Sequence, residues 1–174
     1  MNQVIFLTVF HFFNATFFGS LFAVFLATWL PVLLVTFLVY YEWRIQRGEK
    51  FKKILMSLVQ LFVPPMVALG LSEFIKFLTP APRPFLVLDI TPLTSVSEGM
   101  GSFPSSHSAF FAALALTVYL REHALWKFYA IGMVLVIIGR VAAGFHWPID
   151  VSAGFLLGIM VGLITFFAPK FLKK

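Results

Sequence analysis

The sequence predicts an all-α membrane protein, a polytopic bundle of five or six transmembrane helices. Apolar residues make up 60% of the 174-residue chain, charged residues only 11%, and the mean hydropathy is +0.96. A chain of this composition has too few polar side chains to cover a water-soluble globule. Because one crossing needs about 20 apolar residues, the length allows five or six crossings. We therefore expect a single integral-membrane domain, residues 1–174.

The positive charges indicate a membrane topology rather than a nucleic-acid partner. The formal net charge is +6, and ten of the 13 Lys and Arg residues fall in three clusters at every second predicted membrane exit. The clusters are Arg44, Arg47, Lys50, Lys52 and Lys53; Arg121 and Lys127; and Lys170, Lys173 and Lys174. The positive-inside rule assigns them to the cytoplasmic side. Lys76, Arg83 and Arg140 lie near the opposite face, where topology gives no reason for a positive charge.

The N-terminal region leaves two topologies open. Residues 2–16 are mostly apolar, with His11 and Asn14 as polar interruptions, and they predict either an interfacial helix on the outer surface or the beginning of a first span. The next span is expected at about residues 20–42. One crossing before residue 42 places the N-terminus outside and two place it inside, and the absence of an N-terminal Lys or Arg favours outside.

Later spans are predicted at about residues 54–78, 105–120, 128–145 and 149–168. Glu73 precedes Lys76 by three residues on one helix face, so we expect a local ion pair there. Prolines on both sides hold Arg83 in an extended segment.

The polar residues 85–103, with Asp89 and Glu98, predict an outer loop that acts as a lid or substrate entrance. Glycines at 154, 158 and 162 predict close helix packing.

Residues 139–150 place three reactive side chains in an otherwise membrane-like segment: Arg140, His146 and Asp150. Charge within the hydrocarbon region costs roughly 2.5–3.5 kcal/mol per group, so such residues suggest a function. His146 and Asp150 share one face if a helix begins near Pro148, and an aspartate there can set the histidine tautomer. A helix-end salt bridge with an interfacial histidine explains this stretch alone equally well.

Three stretches are predicted to meet at the outer face: Lys76 to Arg83, Ser105 to His107, and Arg140 to Asp150. The cations can neutralise phosphate oxygens, and the serines of the second stretch predict a helix N-terminus, which binds anions through its N–H groups. One histidine can attack phosphorus while the other protonates the leaving oxygen. These residues suit phosphoryl transfer. Because the sequence contains no carboxylate cluster to hold a metal, we expect neither a metal nor another cofactor.

The motifs in order resemble the three-part signature of the type 2 phosphatidic acid phosphatase (PAP2) superfamily, which comprises membrane lipid phosphatases related to vanadium haloperoxidases. The signature reads Lys76-(six residues)-Arg83-Pro84, then Pro104-Ser105-Ser106-His107, then Arg140-(five residues)-His146-(three residues)-Asp150. The motifs cover about residues 76–150, and the predicted helices extend the likeness over most of the chain.

The resemblance implies a role for each matching residue. His146 would be the nucleophile that forms a phosphohistidine, Asp150 would orient it, and His107 would protonate the leaving group and then activate water. The phosphate-binding residues would be Lys76, Arg83, Arg140, Ser105 and Ser106. Two positions depart from the usual pattern: Ser106 stands where glycine is commonest, which could crowd the phosphate, and Gly139 stands where a serine hydroxyl usually precedes the arginine.

Within the superfamily, the compact size, Arg-Pro-Phe after Lys76, Ser-Phe-Pro-Ser before His107 and the His-x-Pro-x-Asp motif are similar to bacterial undecaprenyl-diphosphate phosphatases. That resemblance implies hydrolysis of undecaprenyl diphosphate, for peptidoglycan synthesis, at the outer side of the bacterial cytoplasmic (inner) membrane. Phosphatidylglycerol phosphate, phosphatidic acid or a lipid A phosphate are alternative substrates, and transfer to an acceptor other than water is an alternative reaction. A non-catalytic membrane protein that binds anionic lipid is the alternative from another class.

Overall fold

A computed structural model describes residues 1–88, 90–94 and 101–171, and it describes no side chains for residues 169–171. Asp89 and Glu98, which we predicted to lie in an outer loop, fall outside the described residues. The described chain is helical, without strands: α1 Asn2–Asn14, α2 Phe17–Val24, α3 Leu30–Ile45, α4 Phe51–Leu78, α5 Pro84–Leu88, α6 Ser106–Leu120, α7 Trp126–Ala142 and α8 Pro148–Phe171. A π-helical turn, Phe25–Trp29, joins α2 to α3.

The N-terminal region divides into a short helix and one long one. Helix α1 has 13 residues, whereas a crossing needs about 20. The Thr16 side chain then caps α2 by accepting a hydrogen bond from the Gly19 N–H at 3.1 Å. From Phe17 to Ile45 the helix is continuous for 29 residues, with a mean hydropathy of 2.4. This arrangement favours one crossing in the region, with α1 as a separate helix.

Three helical stretches in the described residues are long and apolar enough to cross a membrane: Phe17–Ile45, Phe51–Leu78 and Pro148–Ala168. Helices α6 and α7 are apolar but have only 15 and 17 residues. Length and composition therefore support an all-helical membrane protein with three candidate spans. The predicted total of five or six crossings remains a prediction.

Helix α6 lies at the centre of the bundle and packs on α8, α4 and α7. The contact with α8 depends on two glycines. A Cβ atom at Gly154 would lie 2.3 Å from the Ser105 carbonyl oxygen, and one at Gly158 would lie 2.2 Å from the Ala109 carbonyl oxygen. Any larger residue would force the two helices apart, so the close packing predicted from the glycine spacing is confirmed.

Helix α1 supports the loop between α7 and α8, where His146 lies. Phe6 is fully buried, and its ring centroid lies 5.2 Å from that of Trp147. At the beginning of the helix, the Asn2 side-chain oxygen accepts a hydrogen bond from the Ile149 N–H at 3.1 Å. At its end, the Asn14 amide donates to the Ala142 carbonyl at 3.1 Å. The N-terminal helix therefore holds the loop that carries the third motif.

Candidate active site

Polar side chains from all three motifs line one cavity of about 600 Å³. The polar lining includes Lys76, Arg83, Ser106, His107, Arg140 and His146. These residues come from α4, the α4–α5 loop, α6, α7 and the α7–α8 loop. Apolar side chains of α3, α4 and α6 line the rest, among them Val32, Leu69 and Phe110. The fold thus brings together residues that lie up to 70 positions apart in the chain, as the motif spacing predicted.

Phe145 positions both arginines. Its carbonyl accepts a hydrogen bond from Arg83 Nη1 at 3.1 Å, and its ring lies 4.5 Å beneath the Arg140 guanidinium. Arg140 Nη1 also donates to the Ala27 carbonyl at 3.3 Å. The Nε atoms of both arginines are buried and have no hydrogen-bond partner in the described part of the chain. Buried cationic donors without partners beside a cavity are suited to binding an anion.

Gly139 allows Arg140 to reach its place. A Cβ atom at Gly139 would lie 2.7 Å from the Leu26 carbonyl carbon and 2.8 Å from the Ala27 nitrogen, within the π-helical turn. Helix α7 therefore touches the backbone of this turn, and the Ala27 carbonyl lies within reach of the Arg140 guanidinium. The departure from serine at this position has a steric reason, because a serine side chain would collide with that backbone.

The contacts of His146 determine its tautomer. Nδ1 lies 2.9 Å from the Ser102 carbonyl oxygen. Because a carbonyl only accepts, Nδ1 carries the hydrogen, and Nε2 is left with a free lone pair. Burial, and then the positive charges of Arg140 and Arg83, lower the pKa of His146 well below its usual range. The imidazole is therefore neutral at neutral pH, the form in which an imidazole can attack phosphorus.

Asp150 contacts His146 mainly through Ser102. Its carboxylate accepts a short hydrogen bond from the Ser102 hydroxyl and a second from the Trp147 N–H at 2.8 Å, while the His146 Nδ1 is 3.7 Å away. Ser102 is fully buried, and it donates to Asp150 while its carbonyl holds His146. Ser102 is not one of the motif residues to which the family resemblance assigns a role. The only sequence signal was its place in the Ser-Phe-Pro-Ser stretch before His107.

The beginning of α6 places its two candidate residues, Ser105 and His107, differently. His107 lines the cavity, whereas Ser105 is fully buried and is absent from the lining. The Ser105 side chain instead caps α6 by accepting from the Ser108 N–H at 3.5 Å. Its own N–H donates to the Asp150 carbonyl at 3.0 Å. The Ser105 hydroxyl thus caps α6, and its contact with phosphate stays a prediction.

Ser106 joins two helices at the cavity wall. Its hydroxyl makes short hydrogen bonds with the Lys76 ammonium and the Glu73 carboxylate. Glu73 also lines the cavity and lies 2.9 Å from the Lys76 Nζ. The predicted ion pair between Glu73 and Lys76 is confirmed. Its link to Ser106 was not predicted, because it depends on the packing of α4 against α6.

Three curated proteins are similar to this chain. "Undecaprenyl-diphosphatase" of Sulfolobus acidocaldarius is 33% identical over 140 residues, which are 79% of this chain and 61% of that protein. "Bacitracin transport permease protein BcrC" of Bacillus licheniformis is 31% identical over 147 residues, 84% of this chain and 70% of that protein. "Putative undecaprenyl-diphosphatase YbjG" of Escherichia coli is 33% identical over 113 residues, 61% and 55% of the two chains. This chain therefore spans less than two thirds of two of these relatives.

Two crystal structures have a similar fold. LpxE of Aquifex aeolicus aligns with a TM-score of 0.72 and 25% identity, over 95% of this chain and 94% of that one. The PAP2-type phosphatidylglycerolphosphate phosphatase of Bacillus subtilis aligns with a TM-score of 0.52 and 24% identity, over 97% and 96% of the two chains, and this likeness concerns the fold alone.

A family model described as "PAP2 superfamily" matches residues 54–173, which include every motif residue gathered at the cavity. The chain is a membrane protein whose helical bundle resembles those of PAP2 enzymes. With this match over more than half of its length, it belongs to the PAP2 superfamily of phosphatases.

Proposed function

We propose that this protein hydrolyses undecaprenyl diphosphate to undecaprenyl phosphate and inorganic phosphate through a phosphohistidine at His146. The observation that carries the proposal is that one cavity is lined by two imidazoles and three cations. Two of these cations, the arginines, have buried nitrogens without a partner in the described residues. The relatives named undecaprenyl-diphosphatase, each 33% identical to this chain, support the substrate. The apolar wall beside the cations offers a surface for an isoprenoid chain.

In the first step, the lone pair of His146 Nε2 attacks the terminal phosphorus. An N–P bond forms as the bond from phosphorus to the bridging oxygen breaks, and His107 gives its proton to that oxygen. Arg83, Arg140 and Lys76 bind the non-bridging oxygens, where negative charge must be stabilised in the transition state. Asp150 and Ser102 hold the imidazole in the reactive tautomer. Undecaprenyl phosphate then leaves the cavity.

In the second step, neutral His107 takes a proton from water as the water oxygen attacks phosphorus. The N–P bond breaks, inorganic phosphate is released, and His146 returns to its neutral form. The N-terminus of α6, which begins at Ser106 after the Ser105 cap, adds its dipole and N–H groups to the phosphate site. In the described residues no three His, Asp or Glu side chains form a metal-binding group, and the proposed chemistry uses none.

We also propose five crossings, made by the α2–α3 helix, α4, α6, α7 and α8, with the cavity facing outward from the bacterial inner membrane. Lys53 and Arg121, which belong to two of the basic clusters, line a separate cavity at the other end of α4. The positive-inside rule assigns that end to the cytoplasm. The chain has no cysteine, so single substitutions test the topology. An impermeant maleimide should label Leu86→Cys in intact cells and Glu49→Cys only after permeabilisation; the reverse pattern would overturn the orientation.

The function is tested by measuring phosphate release from a panel of lipids by the purified protein, with a chelator present. The panel contains undecaprenyl diphosphate, phosphatidylglycerol phosphate, phosphatidic acid and a lipid A phosphate. We expect the highest kcat/KM with undecaprenyl diphosphate and no loss of activity on chelation. Acid quenching during turnover should trap an acid-labile phosphohistidine that is absent from His146→Ala.

Each competing outcome has a distinct meaning. Faster release from another lipid would contradict the substrate but not the reaction class. Release that requires a divalent metal would contradict the metal-independent mechanism. Lipid binding without phosphate release from any member of the panel would indicate an anionic-lipid-binding protein and reject the enzyme proposal.

A further inference from the structure

The cationic cavity contains one feature that phosphate binding does not require, the carboxylate of Glu73. It lies in the cavity wall with Lys76 and Ser106, and the three side chains form a closed cluster. One oxygen, Oε1, lies 2.9 Å from the Lys76 ammonium and accepts a short hydrogen bond from the Ser106 hydroxyl. The ammonium also donates a short hydrogen bond to the hydroxyl. We refer to these residues as the Glu73 cluster.

The Glu73 oxygen lies where an oxygen of phosphate would be expected. An ammonium and a hydroxyl are donors that bind carboxylate and phosphate oxygens alike. The Lys76 side chain is only 6% exposed, so its charge is almost completely shielded from solvent. The Glu73 side chain is 34% exposed and faces the cavity. A phosphate that enters to contact Arg83 and Arg140 must compete with Glu73 for Lys76 and Ser106.

Asp150 does not compete in this way. Its Oδ2 atom is occupied by Ser102 and the Trp147 N–H, and its side chain is absent from the cavity lining. Among the described residues, Glu73 is therefore the carboxylate that faces the phosphate site itself. It leaves the buried Nε atoms of Arg83 and Arg140 without a partner among the described residues, but it occupies donors of Lys76 and Ser106.

We propose that Glu73 is an internal substitute for phosphate, which occupies the Lys76–Ser106 position in the empty site and returns to it as phosphate leaves. This inference rests on the proposed function. Three cations around one small anion bind it tightly. This increases the affinity for the substrate, but it also slows the release of phosphate as product. A tethered carboxylate weakens the binding of free phosphate, because like charges close together in a cavity repel each other. Glu73 is thus a positioning residue that sets the affinity for product.

The test is the affinity of the Glu73→Gln variant for inorganic phosphate, measured by calorimetry in detergent and as the inhibition constant during turnover. Glutamine keeps the size and one oxygen but removes the charge. We expect phosphate to bind at least about tenfold more tightly, as removal of a like charge predicts. KM should fall, and kcat should fall where phosphate release limits turnover. Glu49→Gln makes the same change at an exposed site far from the cavity and should leave phosphate affinity unchanged.

The sign of the change separates this role from simple support of Lys76. If Glu73 only held Lys76 in place, its loss would loosen the lysine, and phosphate would bind more weakly or as before; either result overturns the inference. Glu73→Asp keeps the charge but is one methylene shorter, so it should also tighten phosphate binding, by less. It provides the same test if Glu73→Gln does not fold.

The two proposals fail differently. Wild-type protein that neither releases phosphate from lipids nor binds inorganic phosphate would reject the proposed function itself. Wild-type protein that does both, while Glu73→Gln binds phosphate no more tightly, would reject only the role of Glu73.

Discussion

Two histidine–carboxylate pairs lie among the described residues, at opposite ends of helices α3 and α4, and their surroundings differ. In the His123–Glu42 pair, Nε2 lies 2.9 Å from the carboxylate, which also accepts from Gln46 at 2.6 Å and Ser57 at 2.7 Å. The other imidazole nitrogen, Nδ1, accepts from the Leu125 N–H at 3.2 Å. Both ring nitrogens and both carboxylate oxygens therefore have protein partners, and this pair ties α3 and α4 to the α6–α7 loop.

The His146–Asp150 pair satisfies only part of its hydrogen-bonding capacity. Nδ1 donates to the Ser102 carbonyl and lies 3.7 Å from Asp150, and the ring lies beside a cavity with unpaired arginine nitrogens. The comparison shows that a buried histidine beside a carboxylate is not in itself a site. What distinguishes the pair proposed as catalytic is a ring nitrogen that has no hydrogen-bond partner in the described part of the chain, next to cations that can stabilise a transferring phosphoryl group.

The largest difference should appear when each histidine is removed. His146→Ala should reduce kcat by about 10⁶-fold, the order observed when a nucleophile or its base is lost from a catalytic unit. His123→Ala should keep kcat within a few-fold of wild type but lower the free energy of unfolding by about 1–3 kcal/mol, because Glu42 loses a buried partner. Lipid turnover and thermal unfolding in detergent measure the two effects. Equal loss of activity in both variants, with both folded, would show that the two pairs do not differ in this way.

Substitution of the two carboxylates should also affect activity and stability differently, but by less than removal of the histidines. Asp150→Asn should lower kcat by about 10⁴-fold, as expected for a residue that orients the reacting group rather than reacting itself. Glu42→Gln should again lower stability, by about 1–3 kcal/mol, since an amide nitrogen cannot accept the hydrogen bonds now made to the carboxylate. Ser102→Ala is the intermediate case and should lower kcat if Asp150 acts through that hydroxyl. Wild-type turnover in Ser102→Ala would mean that the carboxylate reaches His146 without it.

The smallest expected effect is a change in the pKa of His146. Because burial and nearby guanidinium groups lower the pKa of His146, its imidazole should stay neutral as the pH falls from 7 through 6.5 and should gain a proton only below that. Arg140→Ala removes one of those charges and should raise the pKa toward its usual value. Histidine-selective nitrogen-15 NMR of both proteins measures the difference. Protonation of wild-type His146 at or above pH 6.5 would contradict the electrostatic account.

The same pKa shift affects stability in a defined direction. The folded protein takes up the His146 proton less readily than the unfolded chain does. Between the lowered pKa and the usual value, the unfolded state therefore binds more protons. The free energy of unfolding should therefore decrease as the pH drops below about 6.5, and the titration of His146 should not change it above that pH. In Arg140→Ala this decrease should be smaller, because the folded-state pKa lies closer to the unfolded value.

The class of the protein and its motif residues were predictable from the sequence because each depends on composition or on short-range spacing. A chain that is 60% hydrophobic must lie in a membrane, and positive charges outside the three basic clusters need another explanation. Glycines four residues apart fall on one helix face, whatever helix packs there. The ion pair of Glu73 and Lys76 likewise lies within a single helical turn.

Tertiary structure alone decided which of these groups touch. Ser102 meets His146 across 44 positions of sequence, and Arg140 meets the Ala27 carbonyl across 113. Such contacts depend on how the helices pack and on where a backbone can approach closely, as it does at Gly139. Helical periodicity relates residues three or four apart, but it carries no information about the separation of two helices. The link of Ser102 to His146 and Asp150 and the contact of Ser106 with Glu73 and Lys76 therefore became visible only once α4, α6, α7 and α8 were packed together.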